Sequence, residues 1–587
     1  MFRKSIFITF LIALAAALYF NPNFKTISAG VAILLFGMIL LEEGFRVFTK
    51  GPLQNILKKA TNKLYKSITA GALVTALIQS SSLVSVITIS FISAGLISLS
   101  GGIGLIFGAN IGTTATAWLV AGFGLKVNIS ALAMPMLIFG IVFSFQKRSS
   151  LKGLGNVLAG LGFFFLGIHY MKDGFEVFKQ YIDLTQYAVP GFKGIVIYTI
   201  IGIFITTVLQ SSSATLALIL TALSAGQIEY ENALALAIGA NVGTTITAIL
   251  GSISSNAAGK RLAGAHFVFN VATGIVALAL IYPLAKLVNI LADSLTIADT
   301  DFTLKLALFH TIFNVLGVII MIPFIKKLEQ LLVKYIKVKE DKEIDEPKFL
   351  NEAVLKFSGS LMSSLINESK FLYKNAIFEI VAHSLNIHRS DIISQEKLKK
   401  IIKRSKEEMD INVEELYYKK VKHIYGEIIR YATTAQSTLN LNKRQNEVIS
   451  EIKIANRKMV EIIKDAKELN KNVNIALTTD NKYLHNEYDG FRKKVAKVLR
   501  VIYLFRKSEE QNKYEKILSQ LKHEAIDNIR QSNKSIDKLI RKNLITAEMA
   551  SSLFNDHTNV NDMIKKLIEV AELLYSRKDS LLDSKTD

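Results

Sequence analysis

The sequence predicts an all-α, polytopic membrane protein with two inverted repeats, followed by a cytoplasmic helical bundle. Apolar stretches of spanning length recur up to about residue 339, whereas charged and amide residues recur through helix-like sequence beyond it. One set of polar residues occurs twice within the apolar part, 131 positions apart (79 to 210). The placement of lysine and arginine in the predicted loops gives the two copies opposite orientations.

Composition limits the classes of function. The formal net charge is +21, and it divides into roughly +14 before residue 340 and roughly +7 after it. Much of the positive charge of the first part lies in short loops beside predicted spans, and no nucleic-acid-binding motif occurs, so no nucleic-acid partner is expected. The absence of cysteine excludes disulfides, thiolate metal sites and thiol nucleophiles.

The predicted spans follow one another along the chain. The first, at about 5–20, is interpreted as a retained helix because a second span follows closely; a cleaved signal peptide is the alternative. The apolar segments at about 67–98 and 194–225 are each interrupted by polar residues and are predicted to be re-entrant hairpins. The other spans are predicted at about 27–45, 102–123, 129–145, 153–171, 233–251, 263–284 and 304–324. The total is about eight spans and two hairpins.

The loop charges orient these spans. Basic residues cluster between 46 and 66, at 147–152 and at 260–261, so these loops are expected in the cytoplasm. The span at 27–45 then points inward and the span at 153–171 points outward. We therefore predict a plasma-membrane protein (inner membrane in a bacterium) with both termini in the cytoplasm.

Two spans of opposite predicted direction carry the same glycine pattern. Gly37 and Gly44 lie in the span before the first hairpin, and Gly167 and Gly174 lie at the same spacing before the second. Repeat 1 is predicted at about 27–145 and repeat 2 at about 153–284. Both belong to a membrane domain at 1–339, and a cytoplasmic helical domain is predicted at 340–587.

The duplicated polar set is the candidate site. Its first copy comprises Gln79, Ser80, Ser81 and Ser82, followed by Asn110, Thr113 and Thr114 in a Gly-Ala-Asn-Ile-Gly-Thr-Thr element. Its second copy comprises Gln210, Ser211, Ser212 and Ser213, followed by Asn241, Thr244 and Thr245 in a Gly-Ala-Asn-Val-Gly-Thr-Thr element. Polar groups at membrane depth cost free energy unless they line a protein-buried or watery site. Two matching copies therefore imply one site built by two repeats.

The chemistry of these residues suits small ions. A broken helix offers N–H donors to an anion at its new amino-terminal end and carbonyl oxygens to a cation at its new carboxyl-terminal end. Serine hydroxyls serve either ion, and the absence of Lys and Arg within the motifs fits reversible release. The alternative is structural, because Ser, Thr and Gly also permit close helix packing or bonding back to the helix backbone. We favour binding for the Asn and Thr residues and packing for the glycines.

Other polar residues carry separate expectations. Thr75 and Thr206 precede each glutamine by four positions and are expected to support the motif residues. Glu42 and Glu43 are expected near the headgroups. A His-x-x-Phe-Asn pattern occurs twice, as His266 with Asn270 and as His310 with Asn314. The expected role of both pairs is hydrogen bonding between helices, and proton sensing is the alternative.

The paired Gln-Ser-Ser-Ser and Gly-Ala-Asn-x-Gly-Thr-Thr elements resemble those of the sodium-dependent phosphate cotransporter family, which includes the animal type II carriers. The resemblance covers roughly residues 30–325. It implies symport of sodium and inorganic phosphate by alternating access, with Gln79 to Ser82 and Gln210 to Ser213 forming the substrate and sodium region. No resident cofactor and no catalytic residue are expected, since sodium and phosphate are the transported ions.

Residues from about 350 to 580 resemble, more weakly, the PhoU-like helical domain attached to many bacterial members. The resemblance implies a regulatory bundle whose partner is a phosphate-signalling protein. PhoU proteins often carry acidic metal-binding clusters, but the chain has no convincing pair of them, so its acidic residues are expected to be solvated. Three alternatives stay open: another small anion, another coupling ion such as the proton, and a membrane phosphate sensor without flux.

Overall fold

The computed structural model describes residues 15–49, 60–126, 129–337, 345–409, 412–439, 441–508 and 511–576. Every regular element within these ranges is a helix, which confirms the predicted all-α class. The chain divides into two compact units, a membrane unit at 1–338 and a carboxyl-terminal unit at 339–583. Most of the predicted span at 5–20, the basic residues expected at 50–59 and the predicted boundary at 339 lie outside the described residues.

The membrane unit is a succession of helices with short connections. They are α1 (Pro22–Thr49), α2 (Leu64–Ile78), α3 (Ser81–Ser93), α4 (Leu99–Gly112), α5 (Thr114–Trp118), α6 (Ile129–Ser144), α7 (Ser149–Lys179), α8 (Gly191–Leu209), α9 (Ser212–Ser224), α10 (Tyr230–Gly243), α11 (Thr245–Ser252), α12 (Ala257–Ala279), α13 (Ile281–Ser294), α14 (Phe302–Met321) and α15 (Ile325–Tyr335). A π-helix at Leu119–Gly124 continues α5.

Seven helices within the described residues are long and apolar enough to cross a membrane. They are Phe24–Phe45, Leu99–Gly124, Ser149–Lys179, Gly191–Leu209, Tyr230–Ser252, Ala257–Ala279 and Phe302–Tyr335. Two details differ from the predicted spans. The first arm of the second hairpin is itself of spanning length, because it begins directly after Pro190 and continues for 19 mainly apolar residues. The predicted span at 129–145 is instead one of the shorter apolar helices.

Both polar motifs lie where the chain reverses direction. In the second copy, the Thr206 hydroxyl donates to the Thr215 hydroxyl at 2.9 Å. Residues nine positions apart in one continuous helix would be separated by about 13 Å along its axis, so this contact requires a hairpin. The first copy has the same backbone conformation at its break, since Gln79 and Gln210 have φ values of 59° and 53°.

The long helices α1 and α7, which begin the two repeats, pack against each other in antiparallel directions. A Cβ atom added at Gly37 would meet the Gly160 carbonyl oxygen at 2.7 Å, and one added at Gly30 would meet that of Gly167 at 2.8 Å. Gly30 and Gly37 of the first repeat correspond to Gly160 and Gly167 of the second, 130 positions later. The two contacts are therefore equivalent under the repeat. This packing is the one expected of repeats with opposite orientation, and only glycine permits so close an approach.

The carboxyl-terminal unit is a bundle of long amphipathic helices preceded by shorter ones. Its helices are α16 (Ser358–Leu372), α17 (Phe378–Ser384), α18 (Arg389–Ile393), α19 (Leu398–Arg404), α20 (Val413–Leu416), α21 (His423–Thr438), α22 (Lys443–Thr478), α23 (Lys482–Lys507), α24 (Gln511–Arg541) and α25 (Ala547–Tyr575). The periodicity on α22 is confirmed, because Met459, Ile462, Ile463 and Ala466 are all buried. α22 and α25 pack together as the centre of the bundle.

Candidate ion and substrate site

The four-residue motif makes the same turn in both copies. Gln79 adopts the left-handed conformation and ends α2, and Gln210 does the same at the end of α8. The next serine is extended and begins the following helix: Ser80 Oγ accepts from Leu83 N at 3.2 Å, and Ser211 Oγ accepts from Ala214 N at 3.2 Å. A non-glycine residue with positive φ is uncommon and is often found at functional sites. The first serine of each copy thus has a capping role.

Hydroxyl contacts join the two copies into one site. Ser82 Oγ, from the first copy, donates to Thr247 Oγ1 at 3.4 Å. Thr116 Oγ1 donates to Ser213 Oγ, from the second copy, at 3.2 Å. Ser82 and Thr116 correspond to Ser213 and Thr247, which lie 131 positions later in the second copy, so the two contacts are equivalent. The structure therefore brings the two serine segments together, each against the helix that follows the other copy.

The Asn and Thr residues of both motif copies are buried. The hydroxyls of Thr113 and Thr114 donate to the carbonyl oxygens of Asn110 and Ile111 at 2.6 and 2.7 Å. Thr245 does the same to Val242 at 2.8 Å. These three hydroxyls bond back to the last turn of the preceding helix, α4 or α10, as the structural alternative expects. Their oxygens can still accept a hydrogen bond or contact a cation.

The motif glycines serve close packing in this structure. A Cβ atom at Gly112 would meet the Ala72 carbonyl oxygen at 2.5 Å, and one at Gly243 would meet that of Ile203 at 2.7 Å. Gly108 and Gly239 likewise approach the backbone of α2 and α8. The helix pairs α2–α4 and α8–α10 are therefore held backbone to backbone beside each break.

Asn241 is the centre of a polar network that reaches α14. Its side-chain nitrogen donates to Asn314 Oδ1 at 2.8 Å, and its oxygen lies 3.0 Å from His310 Nε2. If Nε2 is the donor, the neutral tautomer leaves Nδ1 as an acceptor, and His310 Nδ1 has no partner among the described residues. The expected interhelical role of His310 is confirmed. His266 and Asn270 instead interact within their own helix, where Asn270 Nδ2 donates to the His266 carbonyl oxygen at 3.3 Å.

The two glutamines differ in exposure. Gln79 is 9 % exposed and its Oε1 accepts from Thr116 Oγ1 at 2.8 Å. Gln79 Nε2 donates to the Ala76 carbonyl oxygen of its own helix. Gln210 is exposed, although its backbone has the same conformation. Ser212 and Ser213 are buried, whereas Ser80, Ser81, Ser82 and Ser211 are half-buried.

Three residues of this site are absent from the sequence-based prediction. Thr116 and Thr247 supply the contacts between the copies, and the 131-position repeat already contained that signal because both are threonine. Glu42, which was expected near the headgroups, also contacts the first motif: Glu42 Oε2 accepts from Ser80 Oγ at 3.1 Å. The sequence did not indicate this contact because the two residues lie on different helices.

The arrangement offers hydroxyl, amide and carbonyl groups at two helix breaks, with one carboxylate beside the first. Hydroxyl and backbone N–H donors suit an oxyanion, and hydroxyl, carbonyl and carboxylate oxygens suit a small hard cation. Within the described part of the chain, no group of three or more His, Cys, Asp and Glu residues is placed to hold a metal ion. The groups at the two breaks are thus chemically suited to small ions of either charge.

Residues 33–173 and 192–292 match the protein family described as Na+/Pi-cotransporter. The chain is 29% identical over 335 residues to the Salmonella typhimurium protein named "Putative inorganic phosphate export protein YjbB", covering 56% of this chain and 58% of that protein. It is 28% identical over 306 residues to "Uncharacterized protein YqeW" of Bacillus subtilis, covering 50% of this chain and 92% of that protein.

The Escherichia coli K12 protein with the same export name is 27% identical over 333 residues, which cover 56% of this chain and 58% of that protein. The match thus spans less than two thirds of the two relatives with the export name, and it accounts for only part of the present chain. No solved structure matches the chain.

Proposed function

Because the membrane unit of this chain belongs to the Na+/Pi-cotransporter family, we propose that the protein carries inorganic phosphate across the membrane together with sodium. The observation that carries the proposal is the pair of equivalent contacts, Ser82 with Thr247 and Thr116 with Ser213. They place hydroxyls from both motif copies at one site between two helix breaks. Phosphate takes the hydroxyl and backbone N–H donors, and sodium takes oxygen atoms.

Alternating access is part of this proposal. Each motif copy meets the helix that follows the other copy through one hydroxyl pair, at 3.2 and 3.4 Å, and single hydrogen bonds of this kind contribute only about 1 kcal/mol each. The rigid parts are the glycine-packed helix pairs beside each break, α2 with α4 and α8 with α10. Movement of these two bodies relative to each other would open the site first to one side and then to the other.

The direction of net flux is a second question, raised by the names of two relatives. The Salmonella typhimurium and Escherichia coli proteins are named for inorganic phosphate export. A coupled carrier runs in either direction according to its gradients. We therefore propose symport as the mechanism, with export occurring when the phosphate gradient outweighs the sodium gradient.

Radiolabelled phosphate flux in proteoliposomes tests the proposal. We expect uptake with an inward sodium gradient, little uptake when potassium replaces sodium, and efflux from phosphate-loaded vesicles when the sodium gradient is reversed. Equal flux with sodium and potassium would discard sodium coupling and retain phosphate transport. Phosphate binding without flux in either direction would favour a sensor, and neither binding nor flux would favour another anion.

The carboxyl-terminal unit is proposed to be a cytoplasmic, PhoU-like regulatory bundle, and the two repeats are proposed to be inverted in the plasma membrane. The basic loops at 147–152 and 260–261 and the antiparallel packing of α1 and α7 support this orientation.

The chain has no cysteine, so single cysteines can be labelled without background. In intact cells we expect a cysteine at exposed Tyr181 to react, and cysteines at exposed Gln146 and Ile475 to react only after permeabilisation. Reaction of Gln146 and Tyr181 from the same side would contradict the predicted crossing of α7, and reaction of cysteines at positions 48 and 180 from the same side would contradict the inverted arrangement.

A further inference from the structure

Glu42 is a carboxylate near the carboxyl-terminal end of the long, mainly apolar helix α1. It lies within Phe24–Phe45, one of the helices long and apolar enough to cross a membrane. Ser80 Oγ donates to Glu42 Oε2 at 3.1 Å, and the same Oγ accepts from Leu83 N at 3.2 Å. Carboxylates within membrane spans are rare and, where they occur, usually face a protein interior or a watery cavity. A hydrogen bond from one neutral hydroxyl leaves the carboxylate with further acceptor capacity, so its oxygens can also contact a cation.

The second motif copy has no such carboxylate. Ser211 begins its helix in the same way as Ser80, but no described carboxylate forms a hydrogen bond with its hydroxyl. The position that corresponds to Glu42, 130 residues further along, is Lys172. Lys172 lies 3.8 Å from Glu176 on its own helix. The two repeats thus carry opposite charges at one matched position.

The surroundings of Ser80 supply further oxygen ligands. α2 ends at Ile78, so the carbonyl oxygens of its last turn have no N–H donors from a following helical turn. Gln79 donates to two of these oxygens, those of Thr75 and Ala76. The carboxyl-terminal end of a half-helix also carries a partial negative charge, which favours a cation. Sodium is a small hard cation that takes carboxylate, hydroxyl and carbonyl oxygens. An oxyanion is repelled from the same place by Glu42.

We propose that the two motif copies have different ligands: the first copy binds the coupling cation, through Glu42, Ser80 and the end of α2, and the second copy binds the anion. This inference rests on the proposed sodium–phosphate symport. It adds to the cation site one ligand, Glu42, that lies outside both polar motifs. It also explains how identical sequences serve two ions of opposite charge, since the neighbouring helix determines the local charge.

The test compares Glu42→Gln with Glu43→Gln in full-length protein. Glutamine keeps an acceptor for Ser80 and removes the charge, whereas Glu43 is the adjacent, exposed carboxylate. We expect Glu42→Gln to raise the sodium concentration for half-maximal phosphate uptake by about tenfold or more, which corresponds to about 1.4 kcal/mol. The phosphate concentration for half-maximal uptake at saturating sodium should change less than about twofold, and Glu43→Gln should resemble the wild type.

A binding measurement separates this inference from the proposed function. Sodium alone, without phosphate, should raise the thermal unfolding temperature of the wild type but not that of Glu42→Gln. Sodium stabilisation that persists in Glu42→Gln, or its absence in the wild type, would overturn the assignment even if flux is sodium-driven. If the wild type transports phosphate equally well in potassium, the proposed symport itself fails. Should Glu42→Gln not fold, Ser80→Gly, which retains most of the helix cap, carries the same expected loss.

Discussion

The two copies of Gln-Ser-Ser-Ser have the same sequence and the same backbone but different surroundings. Gln79 and Gln210 share the left-handed conformation, and the serine after each begins a helix. Gln79 is nevertheless buried against Thr116, whereas Gln210 is exposed. The local sequence therefore determines the turn, whereas the neighbouring helices determine its surroundings, and under the inference above these surroundings select the ion.

The asymmetry extends to the second polar element. Asn110 donates to the Ile106 carbonyl oxygen of its own helix at 2.9 Å. Asn241 instead bonds to Asn314 and His310 of α14, which follows both repeats in the chain. The asparagine of the second copy is thus held by a helix outside the duplication, whereas that of the first copy bonds within its own helix. The first copy instead has the contact between Ser80 and the carboxylate of Glu42.

The largest effects on phosphate uptake should come from Ser81 and Ser212, the middle serine of each motif. Neither the Ser81 nor the Ser212 hydroxyl has a hydrogen-bond partner among the described residues, whereas Ser80 and Ser211 cap helices. If the free hydroxyls hold ions, Ser81→Ala and Ser212→Ala should each lower phosphate uptake by about tenfold or more, the effect of losing about 1.4 kcal/mol of binding. Membrane insertion and thermal stability should stay unchanged.

Ser85→Ala is the matched control for these variants. Ser85 lies one turn further along α3, and its buried hydroxyl also has no partner among the described residues. We expect wild-type uptake from this variant, because Ser85 is outside the motif. Normal kinetics in both Ser81→Ala and Ser212→Ala would return the serines to a packing role. If the ligands differ between copies, Ser81→Ala should act mainly on the sodium requirement and Ser212→Ala on the phosphate requirement.

Much of the fold could be predicted because its causes are local. Apolar length predicts spans, the polar interruptions predict the breaks at Gln79 and Gln210, and the 131-position repeat predicts equivalent elements. The partners of each motif could not be predicted in the same way. The contact of Glu42 with Ser80 joins residues 38 positions apart, and that of Thr116 with Ser213 joins residues 97 apart. Such contacts depend on how helices pack, which periodicity does not determine.

Thr75 and Thr206 give a finer comparison of the two hairpins. Each packs against a motif glycine: a Cβ atom at Gly112 would lie 2.7 Å from Thr75 Cβ, and one at Gly243 would lie 2.8 Å from Thr206 Cβ. The Thr206 hydroxyl donates to Thr215, whereas the Thr75 hydroxyl is buried without a partner among the described residues. The reason is a single residue, because Val84 occupies the position in the first hairpin that corresponds to Thr215.

The smallest expected effects therefore have opposite signs at matched positions. Thr206→Val should lower the free energy of unfolding by about 0.5–1.5 kcal/mol, because it removes a hydrogen bond and leaves Thr215 with its bond to Ser211 alone. Thr75→Val should leave stability unchanged or raise it by about 1 kcal/mol, because it removes a buried hydroxyl that has no partner among the described residues.

Val84→Thr should create the missing hydrogen bond of the first hairpin and raise the unfolding temperature in detergent. Combining it with Thr75→Val should remove that gain. Equal losses from Thr75→Val and Thr206→Val would mean that the two hairpins are held in the same way, and the asymmetry between them would then be confined to Glu42 and the glutamines.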